Sequence, residues 1–217
     1  MTRNELARLL DHSVLKPEST EMDIIGGAEI TREWRIGFYC VQSSWVKRAV
    51  EILAGTDASV VSVIGFPHGC EPAQIKARAA LLAVADGAAE IDMVINVGWL
   101  RSGFAQAVAD DIAAVVRAIE GTPVKVILES TALTTEEKLL ACKLAVDAGA
   151  AFVKTSTGFG PGGATVEDVA LMRRTVGPDV GVKAAGGIRT REQAEAMVLA
   201  GASRLGASSS IQIVSGG

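Results

Sequence analysis

The sequence predicts an α/β fold, a single-domain (β/α)8 TIM barrel over residues 1–217 with a short N-terminal helix. Three observations carry that prediction. Eight short Val/Ile-rich runs alternate with longer amphipathic, Ala-rich segments, which is the rhythm of repeated βα units. Aromatic residues make up only 4% of a chain that is 49% hydrophobic, a balance suited to buried parallel strands packed on small helical side chains. No stretch rich in Pro, Ser or charge interrupts the rhythm, so no linker is marked.

The candidate strands, in order, are LLDHSV (9–14), FYCVQ (38–42), VVSVIGF (60–66), EIDMVIN (90–96), VKVILES (124–130), FVKTST (152–157), VGVKAAG (180–186) and RLGAS (204–208). Most are short, largely apolar runs, as expected of strands covered on both faces. Among the segments between them, TEEKLLACKLAVDAG (135–149) and TREQAEAMVLAG (190–201) read as helices. In the second, Thr190 is the expected N-cap, Glu192 and Gln193 fall in the first turn, and Gly201 is the stop. The endings VADGA, VDAGA and VLAGA each precede a strand, so one kind of helix-to-strand turn recurs. An open, doubly wound sheet is the competing arrangement. Against it, no G-x-G-x-x-G follows the first strand, and GFGPGG (158–163) comes after the sixth, outside a dinucleotide-binding context.

Composition narrows the function. A net charge of −4 offers no basic field for a phosphate backbone, so nucleic acid is not an expected partner. Cys40, Cys70 and Cys142 form an odd set with no CxxC pair, which points to a reducing compartment. The opening MTRNELARLLDHSVL lacks the apolar core of a signal peptide, and no apolar run reaches membrane-spanning length. The expectation is a cytoplasmic protein with no membrane partner.

In a barrel, reactive groups gather at the C-terminal ends of the strands. Here those ends are repeatedly polar: Asp11 and Ser13, Gln42, Asp92 and Asn96, Glu129 and Ser130, Lys154 to Thr157, Lys183, and Ser208 with Ser209. Lys154 in AFVKTSTGF and Lys183 in GVKAAGGI stand one βα unit apart, hence on neighbouring strands roughly 4.8 Å apart. Two ammonium groups that close disfavour each other's charge, and burial adds to the effect. The expectation is that one lysine is a nucleophile, neutral enough to form a Schiff base with a carbonyl, and that the other makes it reactive. Asp92 lies inside an apolar run, where a carboxylate is costly unless paired, and alternation puts it on one face with Glu90 and Val94. It is a candidate general acid/base, with a structural ion pair as the competing reading.

Gly186, Gly187 and Arg189 follow the seventh strand, and Gly206, Ser208 and Ser209 close the eighth. Barrels frequently bind phosphate between those two loops through backbone N–H groups. His12 and His68 lack metal-ligand spacing, so no metal and no cofactor are expected. GFPHG reads as a turn that ends a strand, Trp34, Trp45 and Trp99 as packing residues, and Asp110-Asp111 as the start or outer face of a helix.

At these residues the chain resembles the deoxyribose-phosphate aldolase family. The likeness runs in order through LDHSVLKPEST (10–20), VSVIGFPHG (61–69), EIDMVINVG (90–98), VILES (126–130), FVKTSTGF (152–159), VKAAGGIRT (182–190) and RLGASS (204–209). The resemblance implies reversible cleavage of 2-deoxy-D-ribose 5-phosphate to D-glyceraldehyde 3-phosphate and acetaldehyde. It implies Lys154 as the Schiff-base nucleophile, Lys183 as the cation that lowers its pKa, and Asp92 as the proton donor and acceptor working with a water. It further implies Asp11 and Ser13 near the sugar hydroxyls, with Thr157 also at the substrate, and Gly186, Gly187, Gly206, Ser208 and Ser209 at the phosphate. A homodimer is the implied assembly. The chain departs from the pattern twice: Phe159 stands where some members have a phosphate-binding lysine, and SIQIVSGG replaces a tail ending in tyrosine. Two other readings stay open: another Schiff-base barrel aldolase, acting on a keto-acid or ketose phosphate, and a non-catalytic barrel that binds a sugar phosphate.

Overall fold

The computed structural model describes residues 1–216. Its strands are β1 (Leu10–Val14), β2 (Phe38–Gln42), β3 (Ser59–Ile64), β4 (Glu90–Val94), β5 (Val124–Ile127), β6 (Phe152–Lys154), β7 (Gly181–Ala185) and β8 (Arg204–Ala207). All pair in parallel in chain order, and β8 returns to β1, with Asp11 opposite Gly206, so the sheet closes and leaves no edge. After each strand the chain returns through a helix, from Glu21–Glu33 after β1 to Ser210–Ser215 after β8, and the helix Arg3–Arg8 precedes β1.

Local chemistry fixes the helix starts. Thr2, Thr20, Thr134 and Thr190 each accept from the third residue of their helix, while Glu5, Asp23, Glu137 and Gln193 reach back to the cap N–H. These are reciprocal capping boxes, and the expected cap at Thr190 is one of them. That helix runs Arg191–Leu199 and stops before Gly201, at φ +113.

The ladders of β3 to β6 end two to three residues earlier than the apolar runs suggest. Gly65 at φ +59 turns the chain out of β3, and Asn96 caps the short helix Val97–Arg101 by accepting from the Trp99 N–H at 3.1 Å. Beyond β5, Glu129 turns at φ +56. The polar residues at these exits leave the sheet and surround its mouth.

Two apolar compartments result. The larger lies between sheet and helices, and Trp34, Trp45 and Trp99 pack on it as expected. The smaller lies inside the barrel on the β2–β3 side, where Cys40, Val61 and Val63 meet Leu15, Phe38 and Phe66. Much of the remaining interior is ionic: Asp11, Asp92, Lys125 and Lys183 are fully buried there. Cys40, Cys70 and Cys142 are free thiols.

The expectation for Asp110-Asp111 needs correction. Both lie within the helix Ala105–Ala118; Asp110 is exposed, but Asp111 is buried and pairs with Lys76 at 2.5 Å. Helical periodicity places Asp111 with Val108, Ile112 and Val115 on the covered face, where only a partner makes a carboxylate tolerable.

Candidate active site

The register that closes the barrel also assembles its chemistry. Asp92 on β4 lies opposite Lys125 on β5, Lys154 on β6 opposite Lys183 on β7, and Lys183 opposite Arg204 on β8. Registered residues of parallel strands share a face, so these side chains converge inside the barrel. Asp92 is fully buried. Its Oδ2 accepts from Lys154 at 2.8 Å and from Lys183 at 2.7 Å, and its Oδ1 from Lys125 at 2.8 Å. Lys183 also pairs with Asp11, Lys125 with Glu90 at 2.6 Å, and Arg204 bridges Asp11 at 3.1 Å and Glu90 at 3.0 Å.

This network has a charge balance with a chemical meaning. Its carboxylates are Asp11, Glu90 and Asp92; its cationic side chains are Lys125, Lys154, Lys183 and Arg204. A buried cluster is neutral when one of the four gives up its proton, and uncompensated charge is costly there. Lys154 is the group the surroundings select. Burial pushes its amine below the ordinary lysine range, Asp92 pulls it up, Lys183 pushes it down again, and the balance is a lowered pKa. Lys183 goes the other way: burial opposes its charge, but Asp11 and Asp92 outweigh that and hold it above the ordinary range. Burial likewise opposes ionisation of Asp92, yet Lys125, Lys154 and Lys183 keep it a carboxylate, well below its usual pKa.

Above the network opens a cavity of about 830 Å³, bounded by the C-terminal ends of the strands and the loops after them. Of the clustered side chains, only Lys154 lines it; Asp92, Lys183, Asp11 and Lys125 are fully buried beneath. Ser13, Thr157, Gly186, Gly187, Gly206, Ser208 and Ser209 all line this cavity, so the two glycine-hydroxyl segments do face one space. Lys16 and Arg189 are cationic side chains on the same wall. His12 lines it too, its Nδ1 3.0 Å from Ser210 Oγ.

Several polar groups near Lys154 are engaged within the protein. Asp11, expected beside the sugar hydroxyls, lies instead under the floor, paired with Lys183 and Arg204. The three hydroxyls after Lys154 are not all free for a ligand. Thr155 Oγ1 donates to the Ala185 carbonyl and accepts from the Ala185 N–H, both at 3.0 Å, stapling the β6 exit to β7. Thr157 Oγ1 donates to Glu129.

Sequence reasoning passed over Lys125 and Arg204. A signal existed for Lys125: alternation along VKVIL sets it against apolar neighbours, as it sets Asp92 within EIDMV. Arg204 opens a strand, a place where arginine usually reaches solvent, and nothing local marks it as buried.

Comparison with known proteins places the chain among aldolases. The family described as DeoC/LacD family aldolase matches residues 35–216. A Bacillus mycoides (strain KBAB4) protein named deoxyribose-phosphate aldolase is 55% identical over 210 residues, covering 96% of this chain and 94% of its own. A Bacillus cereus (strain AH820) protein of the same name matches equally, at 55% over 210 residues with 96% and 94% coverage. Among solved structures, a deoxyribose phosphate aldolase from Aeropyrum pernix, described as a unique tetramer, superposes with a TM-score of 0.92 at 29% identity, covering 99% of this chain and 91% of that one.

Proposed function

Because the chain belongs to the DeoC/LacD family of aldolases, we propose that it reversibly cleaves 2-deoxy-D-ribose 5-phosphate to D-glyceraldehyde 3-phosphate and acetaldehyde through an imine on Lys154. The observation that carries this reading is that Lys154 is the network amine on the cavity wall, and its pKa is lowered.

The neutral amine of Lys154 adds to the C1 carbonyl of the open-chain sugar, and loss of water gives an imine that gains a proton. That cation draws electrons from the C2–C3 bond. The C3 hydroxyl gives up its proton, C3 becomes the aldehyde of glyceraldehyde 3-phosphate, and the C2 carbon is left as an enamine on Lys154. Protonation at C2 and addition of water release acetaldehyde and return the amine. The imine is the electron sink, so no step calls for a metal.

Asp92 enters as a carboxylate, because three lysines hold it so. It can accept a proton and pass it on through a water, while Lys183 stays cationic beside it. Backbone N–H groups around Gly186, Gly187, Gly206, Ser208 and Ser209, with Arg189 and Lys16 at the wall, supply the phosphate end. Arg189 and Lys16 stand in for the cation that Phe159 does not provide.

The test is borohydride reduction in the presence of 2-deoxyribose 5-phosphate, followed by mass mapping. A substrate-dependent adduct on Lys154 alone is expected. An adduct on Lys183 would exchange the two roles, and no adduct during turnover would remove the imine mechanism. We further propose a cytoplasmic homodimer. No helix among the described residues is long and apolar enough to cross a membrane, and Ile75, Leu82 and Phe104 are large apolar side chains left exposed. Sedimentation would settle the assembly.

A further inference from the structure

Glu129 is a buried carboxylate that the reaction above does not use. It is 8% exposed and sits at φ +56, a left-handed conformation that a non-glycine residue holds only when its surroundings require it. Its Oε2 accepts from the Thr157 N–H at 3.2 Å and from the Thr157 hydroxyl, whose oxygen in turn accepts from the Phe159 N–H at 3.0 Å. The next residue of that segment packs flat on the same carboxylate. A Cβ added at Gly160 would lie 2.7 Å from Glu129 Cδ and 2.8 Å from Oε1. Gly162 does the same against Thr131, where a Cβ would meet Cγ2 at 2.9 Å. Residues 157–162 therefore rest on a shelf formed by Glu129 and Thr131, at the exit of β5.

The end of the same segment is one wall of the cavity's glycine-lined end. The Ala164 N–H donates to the Gly186 carbonyl at 3.0 Å, and a Cβ on Gly163 would lie 2.2 Å from that carbonyl oxygen. Gly186 itself is so close that a Cβ on it would stand 3.0 Å from Gly163 Cα. Position on the Glu129 shelf is thus transmitted through backbone contacts to Gly186 and Gly187.

We propose that Glu129 is a positioning residue for phosphate recognition: by fixing residues 157–162 it sets where Gly186 and Gly187 present their backbone, and so makes the enzyme prefer a phosphorylated over an unphosphorylated sugar. Lys154 is insulated from it. The Leu128 N–H donates to the Lys154 carbonyl at 2.9 Å, the Ser130 N–H to the Thr155 carbonyl at 2.8 Å, and Thr155 is stapled to Ala185, all without the carboxylate. The effect of Glu129 therefore falls on the phosphate end of the site and spares the amine. This inference rests on the aldolase reading above.

The experiment compares kcat/KM for 2-deoxyribose 5-phosphate and for 2-deoxyribose in the wild type, Glu129→Gly, Glu129→Gln and Gly160→Ala. Glycine relieves the left-handed backbone while deleting the carboxylate, so Glu129→Gly separates the hydrogen bonds from the conformation. The preference for the phosphorylated sugar is expected to fall about tenfold in Glu129→Gly, through KM, as for the loss of charge-assisted hydrogen bonds. Glu129→Gln keeps an acceptor for Thr157 and should recover most of it. Gly160→Ala displaces the carboxylate from the other side and should reproduce the loss; it also decides the matter should Glu129→Gly fail to fold. An unchanged preference in both Glu129→Gly and Gly160→Ala, or an equal fall on both substrates, would overturn the proposal. Wild-type protein inert toward both sugars would instead sink the aldolase reading, so the two failures are distinct.

Discussion

Lys154 and Lys183 face each other across adjacent strands and donate to one and the same oxygen, Oδ2 of Asp92, at 2.8 and 2.7 Å. Sharing a single acceptor makes their charges compete: the lysine that also holds Asp11 keeps its proton, and the one at the cavity is the one whose pKa falls. Removing Lys183 ends the competition. In Lys183→Leu the network is balanced with Lys154 protonated, so the Lys154 pKa rises. The higher pKa lowers its neutral fraction near neutral pH. The kcat/KM–pH profile should therefore lose rate near neutrality and move its ascending, acidic limb to higher pH. A profile of unchanged shape would remove Lys183 from this role.

Substituting the nucleophile tests the other half of the relationship. Arginine in place of Lys154 keeps a donor for Asp92, but a guanidinium does not deprotonate in this range and forms no imine. Turnover in Lys154→Arg should fall by at least about a thousandfold, as when a covalent nucleophile is removed. Borohydride should then leave the protein unmodified in the presence of sugar phosphate. Activity close to wild type would refute Lys154 as the nucleophile.

Asp92 has a structural role that its chemistry conceals. Three lysines share one fully buried carboxylate. Asp92→Asn keeps the shape and removes the charge, leaving those cations short of a partner; breaking such a buried set costs about 3–5 kcal/mol. Urea unfolding should show a lower midpoint with an unchanged slope. Activity should be lost as well. A variant of wild-type stability would mean that the lysines are less strongly charged than their partners imply.

The eight strands were legible because a parallel strand covered on both faces is a short apolar run rich in Val and Ile, whereas the helices between them are longer and rich in Ala. Their ends were not, because residues such as Leu128 and Thr155 still donate to the neighbouring strand just beyond the ladder, and nothing in their side chains marks where regular pairing stops. Lys154, Lys183 and Asp92 stood out as single charges in apolar surroundings. Their partners did not. Lys125 and Arg204 acquire their function from the register of β4 to β8 and from closure of the barrel onto Asp11, and register is a property of the sheet. The shelf under residues 157–162 was invisible because Glu129 and Gly160 are loop residues that meet only in three dimensions.

His12 makes the fold sensitive to acid. Burial against Tyr39 and Ser210 pushes its pKa down from 6.5 to about 4. A histidine whose folded pKa is depressed contributes stability that is complete above the unfolded value. That stability is lost as pH falls toward the folded value, because the unfolded chain takes up the proton first. Between about pH 6.5 and pH 4 the wild type should thus lose up to about 3 kcal/mol from this group alone. His12→Gln should flatten that part of the stability–pH curve. A curve of the same slope in the variant would refute His12 as the source of the loss; Asp11 and Asp92, whose pKa values are depressed, act below this window.

The pair of Lys76 and Asp111 lies outside the barrel yet bears on its mouth. Lys76 pairs with Asp111 at 2.5 Å and donates to the Val94 carbonyl at 2.9 Å, joining the helices Ala73–Ala85 and Ala105–Ala118 to the end of β4, two residues beyond Asp92. Removing one partner strands the other in an apolar setting, so Lys76→Met should cost about 3–5 kcal/mol. Replacing both with apolar residues of similar volume removes the stranded charge. Lys76→Met with Asp111→Leu should therefore recover at least half of the loss, and the coupling is measurable as a double-mutant cycle in urea. If the double variant is no more stable than Lys76→Met, the hydrogen bond to Val94, rather than the ion pair, is what the helices contribute to β4.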